Sequence, residues 1–427
     1  MEVASRFRSL LEQNGVAGGM IAVVCDRDRA FQSAVGVRRR GSGEPVTTQT
    51  RFQWASTTKM FTAAAIMALV EQGALDLHAP ISTYLPPANF GELSFGGRTL
   101  HQLLTHTSGY PTGFENFDPD LEQVVRSNAQ APMWSNPEQV FNYSNPGFTI
   151  AGLVLQQVAG MPFAEIVAKE ILRPAGMTAT FDAAEVQRGE YASGHSNLPP
   201  FADAPIGPVD SYFHTGYYAP MGGLWGDAHD FVRWMQVHLR DGDGVLGAES
   251  MDSLRTPRTR TIYPGLQYGY GHFVDDSIRP TVVHHGGSAP GFQTGFRVIP
   301  EAGFGIAVAI NGDDFFPTEL IEAATEMFVE LEYLPVTVPP ERDRYARYVG
   351  VYDDPQVFGR VEVIEMGGAL RVRFGTDPEI PLMSSYGSTY ETMFGGERID
   401  WNFWLPPDGG SATHIVSAWG VAKRVER

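Results

Sequence analysis

The chain of 427 residues contains little cysteine and little lysine. Its single cysteine, Cys25, excludes an internal disulfide, and no spacing of cysteines and histidines suggests a zinc site. Only three of its 31 basic residues are lysines, Lys59, Lys169 and Lys423, so arginine carries most of the positive charge. A lysine is therefore an unusual choice in this sequence, and the position of each one is informative.

Long apolar segments and a positive net charge are also absent. No run of about 20 apolar residues occurs, so the sequence predicts no membrane span. The N-terminal segment carries Glu2, Arg6, Arg8 and Glu12 and lacks the apolar core of a signal peptide. This favours a cytoplasmic protein, although removal of a secretion signal would leave the same pattern. The net charge of −18 disfavours binding to nucleic acid or to an anionic membrane surface.

Sequence motifs of several other enzyme classes are missing. The chain contains no HExxH, Walker or GxSxG motif, and its only adjacent histidines are His284 and His285. We therefore expect neither a metal nor a cofactor.

The pattern of apolar residues predicts an α+β protein whose first part contains both helices and strands. We expect strands at residues 18–25 and 30–37, and again at 281–285, 292–299 and 305–311. Strands from both ends of this part should pair into one antiparallel sheet that helices cover. The helices are expected at residues 56–72, 100–104, 163–172, 227–240 and 318–331.

A cluster of prolines after residue 334 marks a change in pattern. Closely spaced prolines at residues 335–340 are typical of a linker, because proline stiffens and extends the chain. Only short strands separated by turn residues follow, which is typical of a small antiparallel β-barrel. We therefore predict a first domain over residues 1–335 and a barrel over residues 340–427, with Trp401 and Trp404 in the barrel core.

The segment Ser56-Thr57-Thr58-Lys59 carries the strongest functional signal. A serine hydroxyl becomes a good nucleophile when a base removes its proton, and lysine can be that base where burial lowers its pKa. Ser56 and Lys59 lie on one face of a predicted helix whose apolar sequence indicates burial. The alternative is an N-cap serine with a surface lysine one turn later. The scarcity of lysine favours the functional interpretation.

Two further segments are candidates, and each has a structural alternative. Tyr143 and Asn145 lie on a predicted loop before a helix. The phenol can transfer protons and the amide can bind a substrate amide, or the pair is a packed tyrosine beside an N-cap asparagine. The sequence His-Gly-Gly-Ser at 285–288 ends an apolar strand. Its glycines let a ligand lie against the strand edge, or they form a bulge before a turn.

In order and spacing these motifs resemble those of the penicillin-recognising serine enzymes, which include class C β-lactamases, DD-peptidases, D-aminopeptidases and esterases. The family pattern S-x-x-K, Y-x-N and K/H-x-G is matched by Ser56 with Lys59, Tyr143 with Asn145, and His285 with Gly287. The resemblance covers about residues 5–335 and includes the flanking segments 103–109 and 220–224. It implies a β-lactamase/transpeptidase-like fold. The C-terminal strands resemble the lipocalin-like barrel that some members carry.

The resemblance also implies a role for each motif residue. Ser56 is implied to be the acylated nucleophile, with Lys59 and Tyr143 sharing the general-base and general-acid work. The backbone N–H groups of Ser56 and Ser288 are implied to form the oxyanion hole. The implied substrate-binding residues are Asn145, His285, Gly287 and Ser288.

These roles predict a serine hydrolase that forms an acyl-Ser56 intermediate on a small ester or a peptide amide. Histidine at position 285, where β-lactamases have lysine, predicts at most weak β-lactamase activity. Two alternatives stay open: an acyltransferase or peptide-cyclising thioesterase that shares the first half-reaction, and a β-lactam-binding sensor without turnover. We expect a small-molecule or peptide substrate as partner, and the sequence leaves the oligomeric state open.

His106 and His284 could also be placed with Ser56 in a Ser-His-Asp triad. No GxSxG turn supports that arrangement, so we predict structural roles for both histidines. The barrel also has two interpretations: a docked module that stabilises the protein, or a lid that overhangs the mouth of the active site.

Overall fold

The structure is a computed structural model. It describes residues 2–111, 118–197, 205–208, 216–313, 315–335, 345–354, 359–386, 388–394, 397–406, 410–417 and 420–425.

The helices of the described residues are mostly short. They are α1 Glu2–Gln13, α2 Thr58–Glu71, α3 Pro87–Phe90, α4 Leu100–Leu104, α5 Leu121–Ser127, α6 Asn145–Ala159, α7 Phe163–Val167, α8 Ala183–Arg188, α9 Ala219–Gly222, α10 Ala228–Leu239, α11 Ala248–Arg255, α12 Thr318–Phe328 and α13 Tyr345–Tyr348.

The strands fall into an earlier and a later group. The earlier strands are β1 Gly18–Cys25, β2 Arg29–Gly36, β3 Phe52–Gln53, β4 Trp225–Gly226, β5 Thr259–Arg260, β6 Leu266–Tyr268, β7 Phe273–Asp275, β8 Ile278–Arg279, β9 Val282–Ala289, β10 Phe292–Ile299, β11 Phe304–Ile310 and β12 Glu332–Tyr333. The later strands are β13 Gly350–Asp354, β14 Gly359–Met366, β15 Ala369–Phe374, β16 Ile380–Pro381, β17 Met383–Tyr386, β18 Thr389–Phe394, β19 Glu397–Trp404, β20 His414–Val416 and β21 Val421–Val425.

The main sheet joins distant parts of the chain, as the sequence predicts. Its strand order is β2-β1-β11-β10-β9-β7-β6-β5, and every pairing is antiparallel. The central strand β1 pairs with β11, with Met20 opposite Ala309. Side chains alternate between the two faces of a strand, so Met20 and Ala22 enter one hydrophobic core while Ile21 and Val23 enter another. The sheet is therefore covered on both faces.

The helix α2 lies in the interior of the larger core. All of its residues from Thr58 to Leu69 are buried, so the helix is apolar nearly all round because protein surrounds it. The helices α6 and α9 pack against it, and Thr62 donates a hydrogen bond to the carbonyl of Pro220 on α9 at 2.6 Å. The predicted burial of the helix that carries Lys59 is confirmed.

The later strands form a separate antiparallel sheet of nearly closed barrel shape, in the order β16-β15-β14-β13-β21-β20-β19-β18-β17. Its interior contains Trp401, which is fully buried, whereas Trp404 packs in a different cluster with side chains of the first part of the chain, so its predicted place in the barrel core is wrong. The predicted barrel is confirmed in these residues. The boundary predicted at 335–340 falls almost entirely on residues 336–344, which lie outside the described part of the chain.

Some boundaries differ from the prediction. The amphipathic helix α1 was not predicted, and it covers the outer face of the sheet with Phe7 and Leu11. The N-cap of α6 is Ser144, because its hydroxyl accepts a hydrogen bond from the Gly147 N–H at 3.2 Å. The interpretation of Asn145 as the N-cap is therefore wrong, and its amide is not used in capping.

One property of the helices concerns membranes. Among the described residues, no single helix combines the length and the apolar composition needed to cross a bilayer. The pair formed by Asn145–Ala159 and Phe163–Leu172 meets both criteria only when it is taken together across a bend of 78°.

Candidate active site

Ser56 lies on a short 3₁₀ turn, Ala55–Thr57, that leads directly into α2. The preceding residue, Ala55, has a left-handed backbone with φ of +48° although it is fully buried. Such a conformation costs on the order of 1–3 kcal/mol for a residue with a side chain, so the surroundings must impose it. The side chain of Gln53 does so in part, because its Oε1 accepts a hydrogen bond from the Ala55 N–H at 2.5 Å. This sharp turn holds the serine hydroxyl at the start of the helix.

Lys59 points back along α2 to the serine. Its Nζ donates to Ser56 Oγ at 3.0 Å and to the carbonyl of Met221 at 2.8 Å. Lys59 is completely buried, and desolvation holds the pKa of its amine well below the usual range. In the described part of the chain no carboxylate forms an ion pair with this amine. The lysine is therefore disposed to be neutral and to accept the proton of the serine.

Tyr143 approaches Ser56 from the loop before α6. Its phenol lies beside the hydroxyl of Ser56, and the Nζ atom of Lys59 lies 5.0 Å from the centroid of its ring. Burial raises the pKa of this phenol, and the interaction with Ser56 opposes that shift only in part. Tyr143 is therefore protonated in the resting site. Burial thus favours a neutral lysine that can accept a proton and keeps the tyrosine in its protonated form.

His285 forms the wall opposite the loop and is held on both ring nitrogens. Its Nδ1 lies 2.6 Å from the carbonyl of Gly286, which can only accept, so Nδ1 carries a proton. The Nε2 atom lies 3.0 Å from the hydroxyl of Tyr268 and accepts its hydrogen. Burial, together with the nearby amine of Lys59, lowers the pKa of this imidazole. His285 is accordingly a neutral group.

Gly287 brings strand β9 against the turn that carries the nucleophile. A Cβ atom at this position would lie 2.2 Å from Thr294 Oγ1 and 2.3 Å from the carbonyl oxygen of Trp54. Any larger residue would therefore force the strand away from the turn. The glycine-rich segment is a continuous part of β9, so the alternative of a bulge before a turn is wrong here.

The edge of β9 next to the serine is open in the described residues. Strand β10 pairs with β9 as far as Ala289, whereas β7 pairs with it only as far as His284. Ser288 lies on this open stretch, and its hydroxyl accepts a hydrogen bond from Gln293 Nε2 at 2.9 Å. The backbone of residues 285–289 is thus accessible to an extended substrate on one side.

Asn145 begins α6 two residues after the tyrosine. Its Oδ1 is buried and has no hydrogen-bond partner among the described residues. A buried acceptor without a donor is costly by about 1–3 kcal/mol. An incoming N–H group would remove this cost, so the carbonyl of this side chain is available to a ligand.

His106 belongs to the site, whereas His284 does not. The ring of His106 packs on that of Tyr143 with centroids 4.2 Å apart, and its Nδ1 accepts a hydrogen bond from the Ser144 N–H at 3.0 Å. His284 instead stacks on Phe273 at 5.5 Å. Neither ring hydrogen-bonds to Ser56 in the structure, so a Ser-His-Asp triad is not formed with them.

Comparison with known proteins identifies the family. The Beta-lactamase family model matches residues 3–326, which is most of the chain. This chain belongs to the β-lactamase family. It is 28% identical to penicillin-binding protein 4 of Amycolatopsis lactamdurans, over 82% of this chain and 96% of that protein. It is 27% identical to the esterase EstB of Burkholderia gladioli, over 66% of this chain and 82% of that protein.

Solved structures of this fold match either the whole chain or only its first part. SurE with D-Leu covers 99% of both chains with a TM-score of 0.76 and 23% identity. The D-alanine carboxypeptidase AmpC of Burkholderia cenocepacia covers 76% of this chain and 97% of its own, with a TM-score of 0.65 and 21% identity. The β-lactamase-family chain described here is a serine hydrolase.

Two parts of this β-lactamase-family site were not predicted from the sequence. One is the carbonyl of Met221, although its segment 220–224 was noted as a family resemblance. The other is Tyr268, which fixes His285. Its signal is the run Tyr-Gly-Tyr-Gly at 268–271, where Gly271 allows close packing: a Cβ there would lie 2.7 Å from the carbonyl of Lys59.

The described part of this family member contains no candidate metal site. In the described ranges, no three side chains of the types His, Cys, Asp and Glu come together in a way that could hold a metal ion.

Proposed function

We propose that this serine hydrolase acts through an acyl-Ser56 intermediate on a small ester or a peptide amide. The observation that carries the proposal is the hydrogen bond from the buried amine of Lys59 to Ser56 Oγ at 3.0 Å, with the phenol of Tyr143 beside the same hydroxyl. A nucleophile, a base with a lowered pKa and a proton donor are together the parts that acyl transfer to serine needs.

In the first half-reaction, Ser56 Oγ bonds to the acyl carbon while its proton passes to Lys59 Nζ. The carbonyl oxygen becomes negative and is stabilised by the backbone N–H groups of Ser56 and Ser288. The bond to the leaving group then breaks, and that group takes a proton from the pair formed by Lys59 and Tyr143. In the second half-reaction a water molecule loses a proton to the same pair and attacks the ester, which releases the acid and regenerates Ser56.

The substrate class follows from the walls of the site. Asn145 Oδ1 is an acceptor for an N–H group on the acyl side, as in a peptide. His285 is neutral, so this wall contributes no positive charge of its own to a substrate carboxylate. The uncharged His285 supports esters and amides over penicillins, whereas the Asn145 acceptor fits any substrate with an N–H group on the acyl side. The names of two similar proteins, an esterase and a D-alanine carboxypeptidase, support the same range of substrates.

Intact-protein mass spectrometry tests the proposal directly. Wild-type protein is incubated with p-nitrophenyl esters, D-amino-acid peptides, penicillins and a fluorophosphonate, and the acylated residue is mapped. We expect one acyl group on Ser56 with turnover of esters or peptides, and complete loss of labelling and turnover in Ser56→Ala. Full activity of Ser56→Ala would falsify the assignment.

Two controls separate the remaining interpretations. An added amine or alcohol tests for acyl transfer, because an acyltransferase forms the conjugate in preference to the free acid. One equivalent of penicillin bound without turnover of any ester or peptide would favour the sensor. The intact Lys59 and Tyr143 support turnover, since binding alone needs neither.

A further inference from the structure

The barrel meets the rest of the protein behind the catalytic tyrosine. One buried hydrophobic cluster, here called the seam, contains side chains from both parts of the chain. The barrel supplies Trp404, Val416 and Val421. The remainder of the seam consists of Trp134, Val140, Phe141 and Tyr268, with Tyr143, Ile262 and Phe273 packed at its edge. The seam thus contacts the loop that carries Tyr143 and the strand that carries Tyr268.

Trp404 is fixed within the seam by the neighbouring hairpin. The guanidinium of Arg260 lies 4.1 Å from the centroid of the Trp404 ring, and Arg260 also donates a hydrogen bond to the carbonyl of Leu405. The amide of Asn402 donates to the carbonyl of Ile262 at 2.5 Å. These contacts hold the end of β19 in one place against the first part of the protein.

The loop that ends at Tyr143 has no helix or strand of its own between residues 128 and 144. On one side its backbone is held by the 106–109 turn: the N–H groups of Trp134, Glu138 and Asn142 donate to the carbonyls of that turn at 2.8 Å. On the other side Trp134 and Phe141 face the seam. The barrel therefore supplies one of the surfaces that position this loop.

The ring of Tyr143 itself is held by aromatic neighbours. It lies parallel to Phe273 with centroids 6.4 Å apart, and edge-on to Tyr268 at 6.5 Å. Phe141 packs against Tyr268 at 5.8 Å, inside the seam. A change at Trp404 thus reaches the phenol through the packed side chains of the seam.

We propose that the barrel contributes to catalysis. Its residue Trp404 is a positioning residue that holds the phenol of Tyr143 against Ser56 and Lys59. The proposal rests on the acyl-Ser56 mechanism proposed above. It differs from both earlier interpretations of the barrel, because the contact is behind the catalytic loop and acts on the rate of the chemical step.

The test uses full-length protein carrying Trp404→Ala, with Trp404→Phe as the conservative variant. Phe374→Ala is the matched control, since Phe374 packs on the barrel's own core, at Trp401, and not on the seam. A p-nitrophenyl ester is the substrate, and all rates are measured below the melting temperature of each variant.

For Trp404→Ala we expect kcat to fall about tenfold with KM within about twofold, because substrate contacts are unchanged while the proton donor is displaced. Displacement of the tyrosine ring admits water to Lys59 and raises the pKa of its amine. The acid limb of the pH profile of kcat/KM should therefore move upward by about 0.5 unit or more. Trp404→Phe should recover most of the rate, and Phe374→Ala should leave both readouts within about twofold of wild type.

Amide hydrogen exchange gives a readout that does not depend on activity. Peptides covering residues 134–144 should exchange faster in Trp404→Ala than in wild type or in Phe374→Ala, while peptides from α6 stay unchanged. If Trp404→Ala does not fold, Val421→Ala removes a smaller part of the seam and is measured in the same way. A folded seam variant with wild-type exchange in this loop and a wild-type pH profile overturns the proposal. Absence of acyl-Ser56 in wild type overturns the mechanism instead, and the exchange result still decides whether the seam holds the loop.

Discussion

Lys59 in the helical region is fully buried and Arg424 in the barrel is half-buried, and the partners of these two basic side chains differ. Arg424 donates to the carbonyls of Arg347, Val349 and Ala412 and to the hydroxyl of Tyr352. Lys59 donates to one carbonyl and to the serine it is to activate. Arg424 satisfies its fixed fork of donors with acceptors from several segments, which makes it a structural cross-link. Lys59 lacks such compensation, and burial lowers the pKa of its amine, as its proposed role as a base requires.

The largest expected effect comes from giving Lys59 the chemistry of Arg424. A guanidinium does not lose its proton in a protein, so Lys59→Arg places a permanent positive charge where the base must be neutral and should lower kcat/KM by about 10³-fold or more. Steady-state rates with a p-nitrophenyl ester measure the loss, and a thermal melt checks that the variant is folded. A folded Lys59→Arg enzyme with near-native turnover would show that Lys59 is not the base.

The second prediction concerns pH. The base must be neutral, so kcat/KM should rise through neutral to mildly alkaline pH as the site loses one proton, and it should fall about tenfold per unit below that transition. The rate is expected to rise with pH because the lowered pKa of Lys59 lets its amine lose a proton in this range. The transition belongs to the coupled pair of Lys59 and Tyr143, since neighbouring groups titrate together. A rate independent of pH from 5 to 9 contradicts this assignment.

A smaller effect is expected at the opposite wall. Tyr268→Phe leaves the buried Nε2 of His285 without its hydrogen-bond donor, which costs about 1–3 kcal/mol of folding free energy. We expect kcat/KM to fall severalfold, mainly through KM, because His285 lines the substrate edge. Denaturant unfolding and the separate values of kcat and KM measure both effects. Unchanged values would remove Tyr268 from the site.

The smallest effect on activity is expected when Arg424, the basic side chain in the barrel, is changed. Arg424→Lys cannot reach the same set of carbonyls and should lower the free energy of unfolding by about 1–3 kcal/mol. Its kcat should stay within about twofold of wild type when the protein is folded. A large loss of kcat in this variant, without unfolding, would mean that the two cations are functionally linked.

The sequence predicted those features that depend on local pattern. The burial of Lys59 followed from an apolar helix, and the pairing of strands from distant segments followed from their apolar runs. The helix α1 was not predicted, because charged residues at 2, 6, 8 and 12 interrupt the short apolar stripe that Phe7 and Leu11 form. Tyr268 could not be assigned by pattern, because its partner His285 is brought to it by the sheet and not by spacing along the chain.

The roles of Ser56, Lys59, Tyr143, Asn145, His285, Gly287 and Ser288 stay predictions. The structure brings these residues to one place, and the tests above address their chemistry. The domain boundary near residues 335–340 is likewise a prediction. The apolar helix predicted the lowered pKa of Lys59, but no pattern contained the direction of the pKa shifts of Tyr143 and His285, because desolvation depends on which side chains surround a group after folding.

The pairing of β1 with β11 has a consequence for the order in which the enzyme is assembled. The Gly18 N–H donates to Asn311 Oδ1 at 2.7 Å, across a sequence separation of 293 residues. Contacts that close so long a stretch of chain form slowly, and the strand synthesised first must wait for the strand that completes it. Gly287, whose strand packs against the turn of the nucleophile, also emerges late. During synthesis on the ribosome, the active site around Ser56 therefore cannot form until nearly all of the first part has been translated. During that interval the edge of β1 is unpaired, and it can associate with other chains.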